Sequence, residues 1–254
     1  MLTTQFLPGA PDWIDLGVPD VEAAAAFYRG VFGWAFQSAG PDAGGYGFFQ
    51  QDGRTVAALG PLMEEGATAA WTTYFATPDA DATAKLVVQH GGRVRAEPFD
   101  VFTAGRMAHF TDPAGARFAV WQGGDTKGLD LVTEQGSLAW AELHVSDPAA
   151  VQPFYQAVFG WRVETVPMGP VDYIVISTAE GDDASFGGLA PLGEGDAPHW
   201  LPYFEVADCD ATLARAQELG ATVVMPAESV EGVGRFAAVD DPFGARCAII
   251  TSSS

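Results

Sequence analysis

The chain has 254 residues, a length that suits one large domain or two of ordinary size. Hydrophobic residues make up 48% of it and charged residues 18%, so it has the material for a buried core and not the composition of a disordered chain. Its 33 acidic and 12 basic residues give a net charge of −21, which repels phosphate and anionic lipid; we expect no nucleic-acid partner and no membrane partner.

No targeting or membrane-spanning segment is predicted. The opening stretch "MLTTQFLPGA" has no basic region, and nowhere does the sequence hold the roughly 18 consecutive apolar residues of a membrane span. The cysteines Cys209 and Cys247 lie far apart without a second cysteine nearby, so we expect small buried side chains, not a disulfide or a metal site. We therefore expect a cytoplasmic protein.

The first quarter of the chain predicts a strand, a helix and further strands. The strand "WIDLGV" leads to Asp20, a helix N-cap residue, and an alanine-rich helix then ends at Gly33. The stretches "GYGFFQQ" and "RTVAALG" have the aromatic and β-branched residues of strands, separated by Gly and Asp turns. The predicted order of elements is β-α-β-β-β.

The second quarter repeats this order. A strand from Trp71 is followed by the N-cap residue Asp79, a helix that ends at Gly91 or Gly92, and the strands "GRVRAEPF", "GRMAHFT" and "RFAVWQ". Residues 122–137 then have the glycines and polar residues of a linker.

The second half of the chain duplicates the first. The segment "WIDLGVPDVEAAAAFYRGVFGW" from Trp13 recurs 127 residues later as "WAELHVSDPAAVQPFYQAVFGW" from Trp140, and two later segments recur 129 residues apart. The sequence therefore predicts four βαβββ units in two tandem domains, residues 1–124 and 125–254.

The motif D-x-x-x-(A/S)-x-x-F-Y-x-x-x-F-G-W after the first strand, with a D-P-x-G turn before the last, resembles the vicinal oxygen chelate superfamily. This group includes glyoxalase I, extradiol dioxygenases and bleomycin-resistance proteins, and the resemblance to its two-domain actinobacterial glyoxalase-like members runs from about Pro11 to Ile250. It implies an α+β fold in which each pair of units forms a half-open β-barrel with outer helices. The concave face of that barrel holds a ligand and, in the enzymes, one divalent metal.

The resemblance also implies where metal ligands would lie. In metal-using members these ligands, usually His, Glu or Gln, lie seven residues before the helix-capping Asp or seven after the Asp of the D-P-x-G turn. The corresponding residues here are Trp13, Thr72, Ala119, Trp140, Leu201 and Ala248. None is a donor of the expected kind, so we predict no metal and no cofactor.

The first strand of each half predicts a cavity-facing side. Alternation places Trp13 and Asp15 on that side in the first half, and Trp140, Glu142 and His144 in the second. Each tryptophan offers a stacking platform for a planar ligand, or alternatively only fills the space of the lost metal. Glu142 and His144 are the candidate catalytic residues, with strand-tying hydrogen bonds as the alternative role.

Gly17 stands where His144 does, so the second domain is the expected reactive one. The predicted ligand-binding residues are Trp13, Asp15, Thr72, Trp121, Trp140, Glu142, His144 and Leu201. Packing in the core or between units is expected for four further tryptophans: Trp34, Trp71, Trp161 and Trp200.

Among the remaining polar residues, Arg106 and Arg235 are expected to form internal ion pairs, with contact to an anionic ligand as the alternative. His90 is placed at a helix end, and the facing of His109 is ambiguous. For His199 we expect an exposed loop position, with the rim of the second cavity as the alternative.

These residues favour a metal-free protein that binds a hydrophobic, aromatic natural product, for resistance by sequestration or for an accessory role in antibiotic or polyketide biosynthesis. The alternative is a metal-independent acid–base enzyme, of lyase or isomerase type, that uses Glu142 and His144 on a carbonyl or polyketide substrate. A second alternative is a metal-dependent lyase or dioxygenase. The expected partner is a small molecule, and the expected assembly is a monomer with an internal pseudo-dimer, or a homodimer.

Overall fold

A computed structural model describes residues 1–64, 66–168, 171–178 and 184–253. The first half contains β1 (Pro11–Val18), α1 (Val21–Phe32), β2 (Ala35–Ser38), a 3₁₀ turn (Pro41–Ala43), β3 (Gly47–Gln51), β4 (Arg54–Pro61), β5 (Ala70–Ala76), α2 (Ala80–Gln89), β6 (Arg93–Val101), β7 (Gly105–Thr111) and β8 (Arg117–Gly123). The second half contains β9 (Leu138–Val145), α3 (Pro148–Phe159), β10 (Arg162–Met168), β11 (Val171–Ser177), β12 (Ser185–Pro191), β13 (His199–Glu205), α4 (Cys209–Glu218), β14 (Thr222–Val230), β15 (Gly234–Asp240) and β16 (Arg246–Ser252). The predicted βαβββ order is confirmed in all four quarters.

The strands form two mixed sheets, one in each half of the chain. Their orders are β2-β3-β4-β1-β5-β8-β7-β6 and β10-β11-β12-β9-β13-β16-β15-β14. In every quarter the first strand pairs in parallel with the last strand of the same quarter. Neither order returns to its first strand, so the tandem α+β domains with half-open sheets are confirmed.

Local capping explains where the helices begin and end. The predicted N-cap residues Asp20 and Asp79 are confirmed, and their counterparts in the second half, Asp147 and Asp208, cap the other two helices. Each carboxylate accepts a hydrogen bond from a backbone N–H of the first turn. Gly33 and Gly160 end α1 and α3 with φ values of 78° and 71°, a left-handed conformation that a residue without Cβ adopts at no steric cost. Among the described residues, every helix is too short or too polar to span a bilayer.

Backbone contacts divide the chain into two compact units, each made of two quarters. The first unit comprises Met1–Trp13, Thr72–Gly128 and Trp140–Leu201, and the second comprises Ile14–Trp71, Leu129–Ala139 and Pro202–Ser254. The domain boundaries predicted from the repeat, 1–124 and 125–254, stay a prediction.

Part of the predicted linker packs into the second compact unit. The carboxylate of Asp130 accepts a hydrogen bond from the backbone N–H of Thr55, at 2.9 Å. The indole N–H of Trp34 donates to the carbonyl of Gly136 at 2.8 Å, and Leu131 is almost fully buried. This stretch therefore adds to the core as well as joining the two halves.

A buried hydrogen-bond chain holds α3 in the first compact unit. The Tyr155 hydroxyl donates to Asp112 Oδ2 at 2.9 Å, and Trp200 Nε1 donates to the Tyr155 oxygen at 3.2 Å. Asp112 Oδ1 accepts from the backbone N–H groups of Gly115 and Ala116, which closes the D-P-x-G turn. Burial raises the pKa of the Asp112 carboxyl, while these donors oppose the rise by stabilising the ionised form.

The second compact unit contains the same chain on α1. Tyr28 donates to Asp241 Oδ2 at 2.9 Å, and Trp71 Nε1 donates to Tyr28 at 3.2 Å. The predicted core role of the four tryptophans is confirmed: Trp34 is fully buried, and Trp161 stacks on Tyr155 with ring centroids 4.6 Å apart. These aromatic residues build the core of each unit.

Tyr155→Phe should destabilise the protein by about 1.5–3 kcal/mol, because a buried charged acceptor loses its donor. The folded-state pKa of Asp112 is already raised, so its contribution to stability is present below the unfolded pKa and is lost as the pH rises through the folded pKa. Loss of the Tyr155 hydroxyl raises that folded pKa further. The urea midpoint should therefore fall more at about pH 7 than at about pH 4.

Tyr28→Phe, the matched variant of the other unit, should give the same pattern. Phe102→Ala is the control, because that side chain is 82% exposed. An unchanged midpoint in both tyrosine variants would contradict the structural role assigned to the chain.

Candidate functional site

The strand β9 presents two chemically different faces. Ala141, Leu143 and Val145 are fully buried on one face, the side opposite to the predicted cavity-facing one. Glu142 and His144 alternate with them and point to the other face. Strand alternation alone thus separates core residues from candidate site residues.

On this second face four side chains form a hydrogen-bonded group, which we call the Glu142 network. Glu142 Oε1 accepts from the Tyr173 hydroxyl at 2.5 Å, and Glu142 Oε2 lies 2.7 Å from His144 Nε2. Trp140 Nε1 donates to the Tyr173 oxygen at 3.1 Å. Glu142 is only 8% exposed, and a buried carboxylate without donors would be costly, so these contacts are what make its position tolerable.

A glycine gives Tyr173 access to Glu142. Tyr173 lies on β11, and β12 runs between β11 and β9. Gly188 of β12 pairs with Glu142 on one side and with Val175 on the other. A Cβ at Gly188 would overlap the Tyr173 hydroxyl, so only glycine leaves room for the tyrosine to cross this strand.

His199 adds an aromatic surface beside the network. Its ring stacks on that of His144, with centroids 5.0 Å apart and planes 9° apart, and its Nδ1 lies 2.8 Å from the Ala197 carbonyl. The expectation of an exposed loop histidine is wrong: His199 is half-buried at the start of β13. The reason is again alternation, since the neighbouring Trp200 points into the core.

The first half of the chain holds a simpler counterpart. The Tyr46 hydroxyl donates to Asp15 Oδ2 at 3.2 Å, within the second compact unit. Tyr46 and Tyr173 are 127 residues apart, the separation that relates Trp13 to Trp140. Sequence reasoning missed both tyrosines, although this shared separation could have found them.

The remaining predicted ligand-binding residues lie in different surroundings. Trp13, Trp121 and Leu201 are buried and Thr72 is half-buried. The indole N–H of Trp121 donates to the carbonyl of Thr126 at 2.9 Å. The structure brings Trp140, Glu142 and His144 together, and ligand contact by any of the predicted residues stays a prediction.

The other polar candidates have structural roles. Arg106 forms ion pairs with Asp81 and Asp100 at 2.8 and 2.9 Å, and Arg235 pairs with Asp210 at 2.7 Å, as predicted. His90 caps α2 at its C-terminal end, as predicted, and the ring of His109 packs edge-on against Tyr74.

Both cysteines are buried, which confirms the expectation from their spacing. Burial raises the pKa of the Cys209 thiol to about 11, and that of Cys247 is raised as well. A thiol with a raised pKa holds little nucleophilic thiolate near neutral pH.

The residues at the family's metal-ligand positions do not fit a metal. Trp140 and Leu201 offer no ligand atom of the usual kind, and Ala119 and Ala248 have only methyl side chains. Within the described ranges, no three His, Cys, Asp or Glu side chains are placed to hold an ion. The chemistry of the site must therefore be derived from the Glu142 network itself.

Gly188→Ala should displace Tyr173 from Glu142 and destabilise the protein by about 1–3 kcal/mol through overpacking. A crystal structure and an unfolding curve of the variant check both effects. Gly17→Ala is the matched control, because its new Cβ would meet only Leu62, at 3.4 Å. An unmoved Tyr173 in the Gly188 variant would contradict the assigned role.

Comparisons with known proteins agree with this fold. Residues 10–120 and 137–249 match the model of the glyoxalase/bleomycin resistance protein/dioxygenase superfamily. The chain is 43% identical over 265 residues to the anthracycline biosynthesis protein DnrV of Streptomyces peucetius, with 97% of this chain and 94% of DnrV covered.

Solved structures show the same fold at low sequence identity. A Mn(II)-bound glyoxalase from Novosphingobium aromaticivorans has a TM-score of 0.66 at 18% identity, covering 96% of this chain and 83% of its own. The 2,3-dioxygenase LapB from Pseudomonas sp. KL28 has a TM-score of 0.66 at 15% identity, covering 97% and 94%. The chain therefore belongs to the glyoxalase/bleomycin resistance protein/dioxygenase superfamily.

Proposed function

We propose that this protein binds a planar aromatic natural product of the polyketide type, without the metal of its enzymatic relatives, in the service of antibiotic biosynthesis. The observation that carries the proposal is Trp140, which occupies a family metal-ligand position and bonds to the Tyr173–Glu142 pair. The name of DnrV, a relative similar over nearly its whole length, supports the biosynthetic setting.

The Glu142 network suits such a ligand in two ways. The half-buried Trp140 ring provides a flat surface for offset stacking, a contact worth about 0.5–1.5 kcal/mol beyond burial. His144, about a fifth of whose side chain is exposed, offers a polar group for a hydroxyl or keto oxygen of the ligand. Aromatic compounds with ring hydroxyls and carbonyls offer both a flat ring for stacking and an oxygen for the polar contact.

The charge of the protein narrows the ligand class. A net charge of −21 repels strongly anionic ligands and so disfavours phosphorylated or multiply carboxylated compounds as partners. A neutral or cationic aromatic compound has no such penalty. Binding alone would suffice for sequestration of a product or for holding a biosynthetic intermediate.

Alizarin, a dihydroxyanthraquinone, should bind saturably in the presence of EDTA, as measured by isothermal titration calorimetry. Trp140→Ala should weaken the affinity by about tenfold, because about 1.4 kcal/mol of stacking is lost. Trp140→Phe should retain most of the affinity, since it keeps a ring and loses only the indole N–H.

Phe102→Ala removes an exposed aromatic ring and should bind alizarin like the wild type. Absence of binding to the wild-type protein, or equal affinity of wild type and Trp140→Ala, would refute the proposed site.

A second candidate function is metal-independent acid–base catalysis on a carbonyl compound. The observation that favours it is the 2.7 Å contact between Glu142 Oε2 and His144 Nε2, the arrangement in which a carboxylate orients an imidazole. Enolisation, cyclisation or epimerisation of a polyketide needs only such a proton carrier.

If the protein is an enzyme of this kind, conversion of aromatic polyketide ketones, followed by mass-resolved chromatography, should persist in EDTA. Glu142→Gln should lower the rate about 100-fold, the usual contribution of general acid–base catalysis. Rates equal to the uncatalysed background for wild-type protein across such a panel would leave binding as the function.

A further inference from the structure

We infer that His144, through its ring atom Nδ1, takes the phenolic proton of a hydroxyaromatic ligand, and that Glu142 is the positioning residue that holds it. This inference rests on the proposed function, because it concerns the same site. It assigns the ligand class, a phenol, and the atom that exchanges the proton.

The geometry of Glu142 makes it a positioning residue. Both carboxylate oxygens have partners within the network, Tyr173 at Oε1 and His144 at Oε2. The side chain is also buried, with only 10% of it exposed. Glu142 therefore acts on a ligand through its neighbour His144, which is twice as exposed.

The hydrogen bond between them leaves one ring nitrogen of His144 for a ligand. An ionised carboxylate only accepts hydrogen bonds, so the proton between Glu142 and His144 belongs to Nε2. The other ring nitrogen, Nδ1, is then the atom that takes the proton of the ligand. The carboxylate stabilises the imidazolium that forms, as the aspartate does in hydrolytic triads.

His199 determines where the positive charge is placed. Its Nδ1 lies 2.8 Å from a backbone carbonyl, an acceptor, so this nitrogen carries the proton of the neutral ring. The two stacked imidazoles are 5.0 Å apart, where two positive charges would repel each other. The ring next to the carboxylate, His144, is thus the one that carries the charge.

The proton transfer balances without another reactant. The ligand O–H bond breaks, an N–H bond forms at Nδ1 of His144, and the electron pair stays on the ligand oxygen as a phenolate. The product is a phenolate–imidazolium pair with Glu142 behind it. A phenol conjugated to quinone carbonyls is more acidic than tyrosine, whose pKa is about 10, and so approaches imidazole at about 6.5.

The duplicated half of the chain lacks this acceptor. Asp15 and Tyr46 repeat the carboxylate and the hydroxyl, but Gly17 stands in the position of His144. The first half therefore has no imidazole at this position. Proton exchange should depend on the second half.

Alizarin tests the inference because its visible absorption changes when the phenol ionises, whereas calorimetry reports binding independently. At a fixed pH near 6, the ratio of phenolate to phenol in the bound dye should be about tenfold higher in wild type than in His144→Gln. Glu142→Gln, which keeps the shape of the side chain, should lower the ratio several-fold. His90→Gln, at an exposed helix end, should match the wild type.

Alizarin bound with the same phenolate ratio in wild type and His144→Gln would overturn the inference and leave the proposed binding function standing. If His144→Gln no longer binds the dye, the Glu142→Gln variant provides the test. An unchanged ratio of phenolate to phenol in that variant would overturn the inference. A larger loss of the phenolate ratio in His199→Phe than in His144→Gln would show that His199, and not His144, takes the proton. Failure of the wild type to bind alizarin would refute both the proposed function and the inference.

Discussion

In each compact unit a buried hydrogen bond, from a helix tyrosine to the aspartate of a D-P-x-G turn, joins two quarters of the chain. In the first unit Tyr155 and Asp112 form it, and the aspartate also closes its own turn through two backbone N–H groups. Removing either partner would leave a buried polar group without compensation, which explains why both residue types are needed. The residues that carry the family resemblance are therefore structural, which is why the family motif identifies the fold but not the reaction.

The candidate site uses the strand positions that packing of the core leaves available. Because one face of β9 packs in the core, only alternate residues are available for chemistry, and on that open face the two halves of the chain differ at two of three positions. Glu142 replaces Asp15, His144 replaces Gly17, and the tyrosine partner is present in both halves. Ile14 and Ala141, both fully buried, also differ, but both keep the packing face apolar.

Sequence reasoning succeeded where the determinants are local. The N-cap aspartate at Asp147 and the C-cap glycine at Gly160 act within one helical turn, and the alternation of β9 acts between neighbouring residues. It failed for Tyr173, which reaches Glu142 across an intervening strand only because residue 188 is glycine. Contacts between residues far apart in the sequence also bring distant quarters into one compact unit, and no local pattern encodes that grouping.

The same network explains why the second-half residues that most resemble metal ligands are poor candidates for that role. A metal ion needs several converging donors with available lone pairs. Both oxygens of Glu142 accept hydrogen bonds, and Nε2 of His144 is bonded to that carboxylate. Coordination by these atoms would have to break the bonds that make a buried carboxylate tolerable, and in the part of the chain that the structure describes no third His, Cys, Asp or Glu is placed with them to hold an ion. The carboxylate, the imidazole and the phenol instead satisfy one another's hydrogen bonds.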